Sequence, residues 1–246
     1  MRKKIRLEDL KEFRIERKVF DDKTLFAIYK LMLKGIVKTV ESVCKEGKES
    51  VVLSGKDSNG NWLALKIYRI EYSNFKRMRE YLAEDPRFLG LKKDKRATVY
   101  NWCRREFKNL KIAHEAGVSC PKPIAFNENV LVTEFIGEKG ILAPMLSDIK
   151  FEKEDAQLIY EVVLNEIEKV VKAGLVHTDF SAYNILFLDR IFIIDFSQAV
   201  TFKHERVKEF LKRDIKNINS YFKKLDVNLE DEEKLFKNLI KVAGLK

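Results

Sequence analysis

The segment HTDFSAYNILFLDRIFIIDFSQAV, residues 177–200, contains two short apolar runs that flank the dipeptide at 189–190. Two such runs joined by a two-residue turn are typical of a β-hairpin. With residues 189–190 as the turn, counting outward along both runs pairs Asn184 with Asp195. Directly opposed residues of an antiparallel pair hold their side chains about 5 Å apart. The segment therefore predicts an amide and a carboxylate side by side at the open end of a hairpin.

The polar residues around this hairpin have the spacing of a phosphoryl-transfer site. Asn184 and Asp195 offer hard oxygen ligands that suit Mg²⁺, which takes few protein ligands and fills its octahedron with water and phosphate oxygens. Asp179 lies on the loop that leads into the hairpin, where a carboxylate can accept a hydroxyl proton. Asp-x-x-x-x-Asn followed by a strand and Asp matches the catalytic loop and metal aspartate of such enzymes. Asp179 or Asn184 alone could simply cap a turn, but the full set, with His177 in a packing role, indicates catalysis.

A single lysine, Lys66, interrupts the apolar strand NWLALKIYRIE at residues 61–71. A buried ammonium group without a partner is costly. The run A-L-K-I fits the strand lysine of kinases, which contacts nucleotide phosphates and is held by a helix glutamate. Glu106 is the best partner, with Glu80 and Glu115 as alternatives. Taken alone, Lys66 could also be an edge lysine that reaches solvent.

The order of the elements predicts an α+β chain in two lobes with a cleft between them. We place an N-terminal helix and a strand-rich lobe at residues 1–133, a hinge at 134–140 and a helical lobe at 141–246. Ser73 is predicted to cap the helix that follows it, and residues 84–96 to form a mobile loop. Helices are predicted within 23–37, ending near Gly35, and at 97–117, 151–174, roughly 204–224 and roughly 229–243, with a hairpin at 120–137.

The composition limits the classes of binding partner and the cellular compartment that we expect. Lys and Arg number 48 against 38 Asp and Glu, a net charge of +10, which favours phosphate or nucleic-acid partners but also fits a well-solvated basic surface. Cys44, Cys103 and Cys120 show no CxxC spacing, which argues against a disulfide framework or zinc site and fits a reducing cytosol. No apolar run reaches about 18 residues and the N-terminus lacks a signal-peptide core. We therefore expect a cytoplasmic protein without a membrane segment.

Four blocks of the chain resemble the RIO family of atypical serine/threonine protein kinases. They are KIYRIEYSNFKRMREYLAEDPRF, WCRREFKNLKIAHEAGVSCPKPIAFNENVLVTEFIG, HTDFSAYNIL and IIDFSQAV. The first block points to the type-1 subgroup, and the four together cover nearly the whole chain in the order that the family has them. The resemblance implies a trimmed, two-lobed protein-kinase-like fold that uses ATP.

The resemblance also implies roles for individual residues. By it, Asp179 is the catalytic aspartate, Asn184 and Asp195 hold Mg²⁺ (or Mn²⁺), and Lys66 with Glu106 positions the phosphates of ATP.

Two further segments match the family's nucleotide site. The strand end LVTEFIG resembles its hinge, where the backbone at Glu134 and Ile136 would meet adenine. Gly47-Lys48-Glu49 matches its phosphate loop, so Lys48 is expected near the phosphates. The resemblance further implies that the phosphoryl group can pass to Asp195 and that the protein acts as an ATP-driven switch on the maturing small ribosomal subunit.

Departures from the family pattern leave other functions open. Lys45 and Glu46 stand where the family has Ser-Thr, which removes hydroxyl contacts to the phosphates, and Ala182 replaces a glutamate of the catalytic loop. One alternative is a small-molecule phosphotransferase of the aminoglycoside type, which shares the H-x-D-x-x-x-x-N loop. Another is a basic RNA-binding assembly factor with weak catalysis, although no RNA-recognition motif is present. The sequence does not indicate the phosphate acceptor or the oligomeric state.

Overall fold

The computed structural model describes residues 21–71, 74–88 and 94–244, which fold into two lobes. The elements of the first lobe are α1 (Asp22–Leu33), β1 (Thr39–Glu46), β2 (Ser50–Lys56), β3 (Trp62–Tyr68), α2 (Phe75–Ala83), α3 (Lys95–Glu115), β4 (Pro123–Asn127) and β5 (Val130–Glu134). The five strands form an antiparallel sheet in the order β1-β2-β3-β5-β4. The α+β class and the strand-rich character of this lobe are as predicted.

Strand β3 lies at the centre of this sheet, between β2 and β5. Successive side chains of a strand point to opposite faces. Leu63, Leu65 and Ile67 therefore enter the core beneath α1, whereas Ala64 and Lys66 face the cleft between the lobes. Lys66 is thus held on a central strand, and the alternative of a solvent-reaching edge lysine is wrong.

α1 ends at Leu33, two residues before Gly35, where the sequence predicted the stop; Gly35 adopts a left-handed φ of 73° that ends the helix. The N-cap of α2 is Asn74, whose side chain accepts from the Arg77 amide at 3.2 Å. The predicted cap, Ser73, lies outside the described residues.

The segment predicted as a mobile loop, 84–96, is only partly described. It contains a 3-10 turn at Pro86–Phe88, and its last two residues already belong to α3. Asp94 caps α3 by accepting from the Ala97 amide at 2.9 Å. Residues 89–93 lie outside the described part of the chain.

The second lobe packs helices around a short hairpin. The elements of this part of the chain are β6 (Gly137–Glu138), β7 (Ile141–Leu142), α4 (Lys153–Lys172), β8 (Leu175–Val176), β9 (Ile185–Phe187), β10 (Ile191–Ile193), β11 (Val200–Thr201), α5 (Val207–Phe222) and α6 (Glu232–Val242). The core of the lobe includes apolar residues of α4, α5 and α6 together with the β9–β10 hairpin. The predicted hinge and lobe boundaries, 134–140 and 141, fall on the β6–β7 hairpin, and that division stays a prediction.

The register of the β9–β10 hairpin is one residue away from the predicted one. Ile193 pairs with Ile185, so Asn184 lies opposite Ile194 rather than Asp195. The reason is the turn: Leu188 joins it, with its amide donating to the carbonyl of Arg190, instead of extending the strand. Asp195 therefore lies one residue beyond the last pair.

Among the described residues, no helix is both long and apolar enough to cross a membrane. All three cysteines are free thiols, in agreement with the predicted lack of a disulfide framework.

Candidate active site

Lys66 joins two carboxylates from different parts of the fold. Its Nζ lies 2.9 Å from Oε1 of Glu106 on α3 and 3.0 Å from Oδ1 of Asp195 in the second lobe. Burial disfavours the charged lysine, but the two carboxylates outweigh it and hold the pKa of Lys66 above its ordinary value. The lysine is therefore a fixed cation at the meeting point of the lobes.

Glu106 is the helix glutamate that the sequence could only propose. It is 2% exposed and accepts hydrogen bonds from Lys66 and from the hydroxyl of Tyr68. Burial raises the pKa of Glu106, against the opposing effect of Lys66. A buried carboxylate of this kind needs its partners, so Glu106 and Lys66 hold each other in place.

Asp195 begins the segment after β10 in a conformation that few residues adopt. Its φ is 64°, in the left-handed region that is uncommon for a residue with a side chain. The carboxylate accepts from the Ser197 hydroxyl at 2.7 Å as well as from Lys66. Although burial opposes ionisation, Lys66 and Ser197 lower the pKa of Asp195 to about 2. Asp195 is therefore ionised at neutral pH and aimed at Lys66.

Asp179 and Asn184 lie close together on the loop before β9. The Asn184 amide nitrogen donates to the Asp179 carbonyl oxygen at 2.8 Å and to its Oδ2 at 3.2 Å. Gln198 approaches the same Oδ2 at 3.5 Å. With its nitrogen used in this way, Asn184 has its amide oxygen left to serve as a cation ligand.

His177 has the packing role that the sequence predicted for it. Its ring is buried, makes edge contacts with Phe180 and Phe196, and places Nε2 3.1 Å from the carbonyl oxygen of Ile194. Burial lowers the pKa of His177, which favours the neutral ring that donates to this carbonyl. The histidine thus ties the catalytic loop to the end of β10.

The loop around Asp179 is held by Asp214 of α5, which sequence reasoning missed. Asp214 accepts from the amides of Thr178 at 2.7 Å and Phe180 at 3.1 Å, the two neighbours of Asp179. Thr178 has a left-handed φ of 69°, costly for a β-branched residue. These two bonds stabilise that conformation and so set the direction of Asp179. Burial raises the pKa of Asp214 to about 7, even though both amides favour its charged form.

A second buried polar group, also missed, links α3 to the segment after Asp195. Arg105 is 1% exposed; its Nε donates to Asp85 at 3.1 Å and its Nη1 to the Ser197 carbonyl at 2.5 Å. Asn109, one turn further along, donates to the carbonyls of Phe196 at 3.0 Å and Ala199 at 2.8 Å. Because Glu106 lies between them on the helix, the glutamate and Asp195 are positioned by one rigid unit.

The cleft between the lobes brings together most, but not all, of the predicted site residues. It encloses about 150 Å³ and is narrow because Lys66 reaches Asp195 and Lys45 reaches the Met145 sulfur at 3.1 Å. Lys48 is exposed on the β1–β2 turn and is not among the lining residues, whereas Lys45, which the sequence suggested only as a departure, is. Asp179 also lies outside the lining, behind Asn184. The predicted residues that line the cleft are Lys66, Glu106, Glu134, Ile136, Asn184 and Asp195.

The donor set at the base of the cleft fits a hard divalent cation. One carboxylate, Asp195, and one amide oxygen, from Asn184, are the few protein ligands that Mg²⁺ uses when phosphate and water supply the rest. In the described part of the chain, no cluster of three or more His, Cys, Asp or Glu residues could hold a metal by itself. A softer, fully protein-bound ion such as structural zinc would need such a cluster.

Comparison with known proteins identifies the family of the chain. The RIO domain family model matches residues 51–235. The chain is 42% identical to the RIO-type serine/threonine-protein kinase Rio1 of Haloferax volcanii over 222 residues, which cover 90% of this chain and 76% of that protein. It is 36% identical to the Rio1 kinase of Methanocaldococcus jannaschii over 229 residues, 92% of this chain and 77% of that one.

The fold has a solved counterpart at lower identity. The Rio2 kinase of Chaetomium thermophilum, in an ADP/Mg²⁺–phosphoaspartate complex, superposes with a TM-score of 0.71 at 22% identity, over 89% of this chain and 66% of that chain. That likeness confirms the predicted kinase-like architecture. The family match and the two Rio1 relatives go further: the chain belongs to the RIO family of serine/threonine protein kinases, and its relatives place it with the Rio1 type.

Proposed function

We propose that this protein transfers the γ-phosphoryl group of ATP, with Mg²⁺, to a serine or threonine hydroxyl of a protein. The observation that carries the proposal is the contact of Lys66 with Glu106 at 2.9 Å and with Asp195 at 3.0 Å. Phosphoryl transfer needs a cation fixed beside the phosphates and a carboxylate that can hold the metal ion. Lys66 and Asp195 come from different lobes, and both line the same cleft as Asn184.

The chain's own residues would bind the nucleotide along the cleft. Lys66, kept charged by its partners, would contact the phosphates. The backbone at Glu134 and Ile136, at the mouth of the cleft, would meet the adenine ring. Lys48 is exposed on the β1–β2 turn and Lys45, near the end of β1, lines the cleft, so we assign the phosphate contact of this segment to both lysines.

Asn184 and Asp195 would hold Mg²⁺, for which Mn²⁺ could substitute. The ion, when bound, neutralises charge on the phosphate oxygens and orients them. Asp195 would approach it with an ionised carboxylate, since its pKa lies at about 2. Lys66 would have to share this carboxylate with the ion.

Asp179 would accept the proton of the acceptor hydroxyl. Its Oδ2 is held by the amides of Asn184 and Gln198, which leaves Oδ1 to receive that proton. Thr178 and Phe180, anchored on Asp214, keep the carboxylate from rotating away. Positioning of this kind, rather than unusual chemistry, is what a phosphoryl-transfer site supplies.

A second activity, ATP hydrolysis through an aspartyl phosphate, is favoured by the ionised state of Asp195. An Asp195 oxygen would attack the γ-phosphorus as the bond to the ADP oxygen breaks, and water would then cleave the acyl phosphate to release inorganic phosphate. A phosphoaspartate is present in the Rio2 complex of Chaetomium thermophilum. We further propose that the protein acts in maturation of the small ribosomal subunit in the cytoplasm, which its family and its charge of +10 support.

Incubation with γ-labelled ATP tests both activities. Serine or threonine phosphorylation yields an acid-stable label on protein, whereas an aspartyl phosphate yields a label that hydroxylamine removes. Asp179→Ala should abolish transfer to a protein hydroxyl, and Asp195→Ala should abolish both labels and weaken Mg·ATP binding. Asp189→Ala, in the exposed β9–β10 turn, is the matched control and should keep wild-type activity. Turnover by Asp195→Ala within about tenfold of wild type would rule out its role at the metal.

A further inference from the structure

A second cavity, larger than the nucleotide cleft, lies between α2 and the start of α5. It encloses about 550 Å³, within the usual size of a ligand site. We refer to it as the α2–α5 crevice. It presents four basic side chains against two acidic ones: Lys76, Arg77, Arg206 and Arg213 against Glu80 and Glu84.

The acidic side chains do not neutralise the crevice. Glu84 is engaged by His204, whose Nε2 lies 2.5 Å from Oε2 of the glutamate. Arg206 pairs with Glu209, but both side chains are well exposed, and such surface pairs exchange partners at little cost. The crevice therefore keeps an excess of positive charge that is available to an anion.

Two of the guanidinium groups are already held in place by aromatic rings. Arg206 and Arg213 lie over the ring of Phe210, at 5.0 and 4.8 Å from its centroid, and Phe210 stacks on Tyr81. Cation–π contacts of this kind limit the rotamers of a long side chain. Less conformational entropy is then lost when an anion binds, which favours affinity.

The crevice is directly connected to the catalytic loop. Arg77 donates to the side-chain oxygen of Gln198, whose amide nitrogen in turn lies 3.5 Å from Oδ2 of Asp179. Arg213 donates to the carbonyl of Thr178, the residue before Asp179. An anionic chain bound in the crevice would therefore continue toward the base that receives the acceptor proton.

We propose that the α2–α5 crevice binds acidic residues that flank the serine or threonine acceptor in a protein substrate. The proposal rests on the proposed kinase function, because the crevice adjoins the base of that reaction. A polypeptide is favoured over RNA because the basic side chains form one closed group rather than a track along a backbone.

Binding is measured first, independently of catalysis. The probe is a short fluorescein-labelled peptide with alanine at the acceptor position and aspartates on both sides; its twin carries glutamine in place of aspartate. Fluorescence anisotropy should show that the acidic peptide binds about tenfold more tightly than the twin, a preference that high salt reduces. The Lys76→Glu, Arg206→Glu double variant should lose the preference. Lys234→Glu, Lys237→Glu, on exposed positions of α6 outside the crevice, makes the same change in net charge and should retain it.

Phosphorylation is measured next, with serine restored in both peptides. In the wild type and in the α6 control, the acidic peptide should have the lower KM. In the crevice variant, the ratio of the two KM values should approach one. The proposal is overturned if the wild type binds both peptides equally. It is also overturned if the α6 control loses the preference for the acidic peptide as fully as the crevice variant does. A labelled single-stranded RNA whose binding the crevice variant loses while acidic-peptide binding persists overturns it as well. Absence of any phosphorylation with acidic-peptide preference intact would instead contradict the kinase function and leave the crevice assignment standing.

Discussion

Asn109 of α3 donates a hydrogen bond from its side-chain amide to the backbone carbonyl of Phe196 at 3.0 Å. Phe196 directly follows Asp195, and Asn109 lies one turn after Glu106, so this bond crosses between the lobes beside both acidic partners of Lys66. The same amide also donates to Ala199 at 2.8 Å. The positions of Glu106 and Asp195 are therefore coupled by the hydrogen bonds of Asn109 as well as by Lys66.

Substitution Asn109→Leu should weaken the contact between α3 and the segment that follows Asp195. It removes the side-chain donor from the carbonyls of Phe196 and Ala199. Phe196 keeps another donor, the Ala199 amide at 3.2 Å, so we expect a loss of about 1–3 kcal/mol in the free energy of unfolding. ATP turnover should fall as well, because the Asp195 segment loses its anchor. Asn101→Leu is the matched control: its amide bonds only to Ala97 on the same helix. Urea unfolding and ATP turnover are measured for both variants. Equal losses of stability and turnover in the two would show that Asn109 does not couple α3 to the Asp195 segment.

Substitution Lys66→Met should leave a folded protein with almost no phosphoryl transfer. It removes the fixed cation and places Glu106 near Asp195 without the charge between them. Loss of a preorganised charge at such a site lowers kcat by about 100-fold or more. Lys56→Met on β2 is the control, since Lys56 packs over Trp62 on the same sheet and is not among the cleft-lining residues. Turnover by Lys66→Met close to that of Lys56→Met would contradict the assigned role.

The parts of the site that could be predicted are those that depend only on local sequence spacing. Alternation along β3 places Lys66 on one face, and the loop spacing brings Asp179 and Asn184 together, whatever the rest of the fold does. The hairpin register could not be predicted, because Leu188 is apolar and reads as strand although it belongs to the turn. Turn length depends on backbone geometry that composition alone leaves open.

The positioning residues escaped prediction for a different reason. Arg105, Asn109 and Asp214 are polar, and polar residues of a helix are expected to face solvent. The spacing held a signal for one of them: Asp214 lies four residues after Phe210 and four before Ile218, on the buried stripe of α5. A polar residue on an apolar stripe indicates a buried hydrogen-bond network, but which backbone groups it serves depends on tertiary packing.

Gly137, at the start of β6, should not tolerate a side chain. Gly137 has a φ of 153°, and a Cβ there would lie 2.1 Å from the Ile141 carbonyl oxygen. Gly60→Ala is the control, because its φ of 85° is also strained but its Cβ would meet no atom of the described structure within 4 Å. Beyond the backbone strain that both share, Gly137→Ala should lose a further 1–3 kcal/mol, roughly the cost of overpacking.

The measurement is thermal or urea unfolding of both glycine variants, followed by nucleotide binding. Because Gly137 follows Ile136, displacement of the backbone should also weaken ATP binding in Gly137→Ala and not in Gly60→Ala. Equal stability of the two variants would show that the backbone at Gly137 can shift to admit a side chain.

The buried carboxyl group of Asp214 should make stability depend on pH in a defined window. Burial raises its pKa in the folded protein from 3.8 to about 7. Between these values the folded chain keeps a proton that the unfolded chain has released, so the free energy of unfolding falls as the pH rises through this window. The contribution is fully present below pH 3.8 and is lost once the pH has passed about 7.

Asp214→Asn removes this titration while keeping a neutral side chain of similar shape. The free energy of unfolding of the wild type, minus that of the variant, should therefore be larger at about pH 5 than at about pH 8. Urea unfolding of both proteins at each pH gives the two differences. Asp189→Asn, in the exposed β9–β10 turn, serves as the control for loss of one carboxyl group. A difference that grows as the pH rises would mean that the amides of Thr178 and Phe180 outweigh burial and keep Asp214 charged.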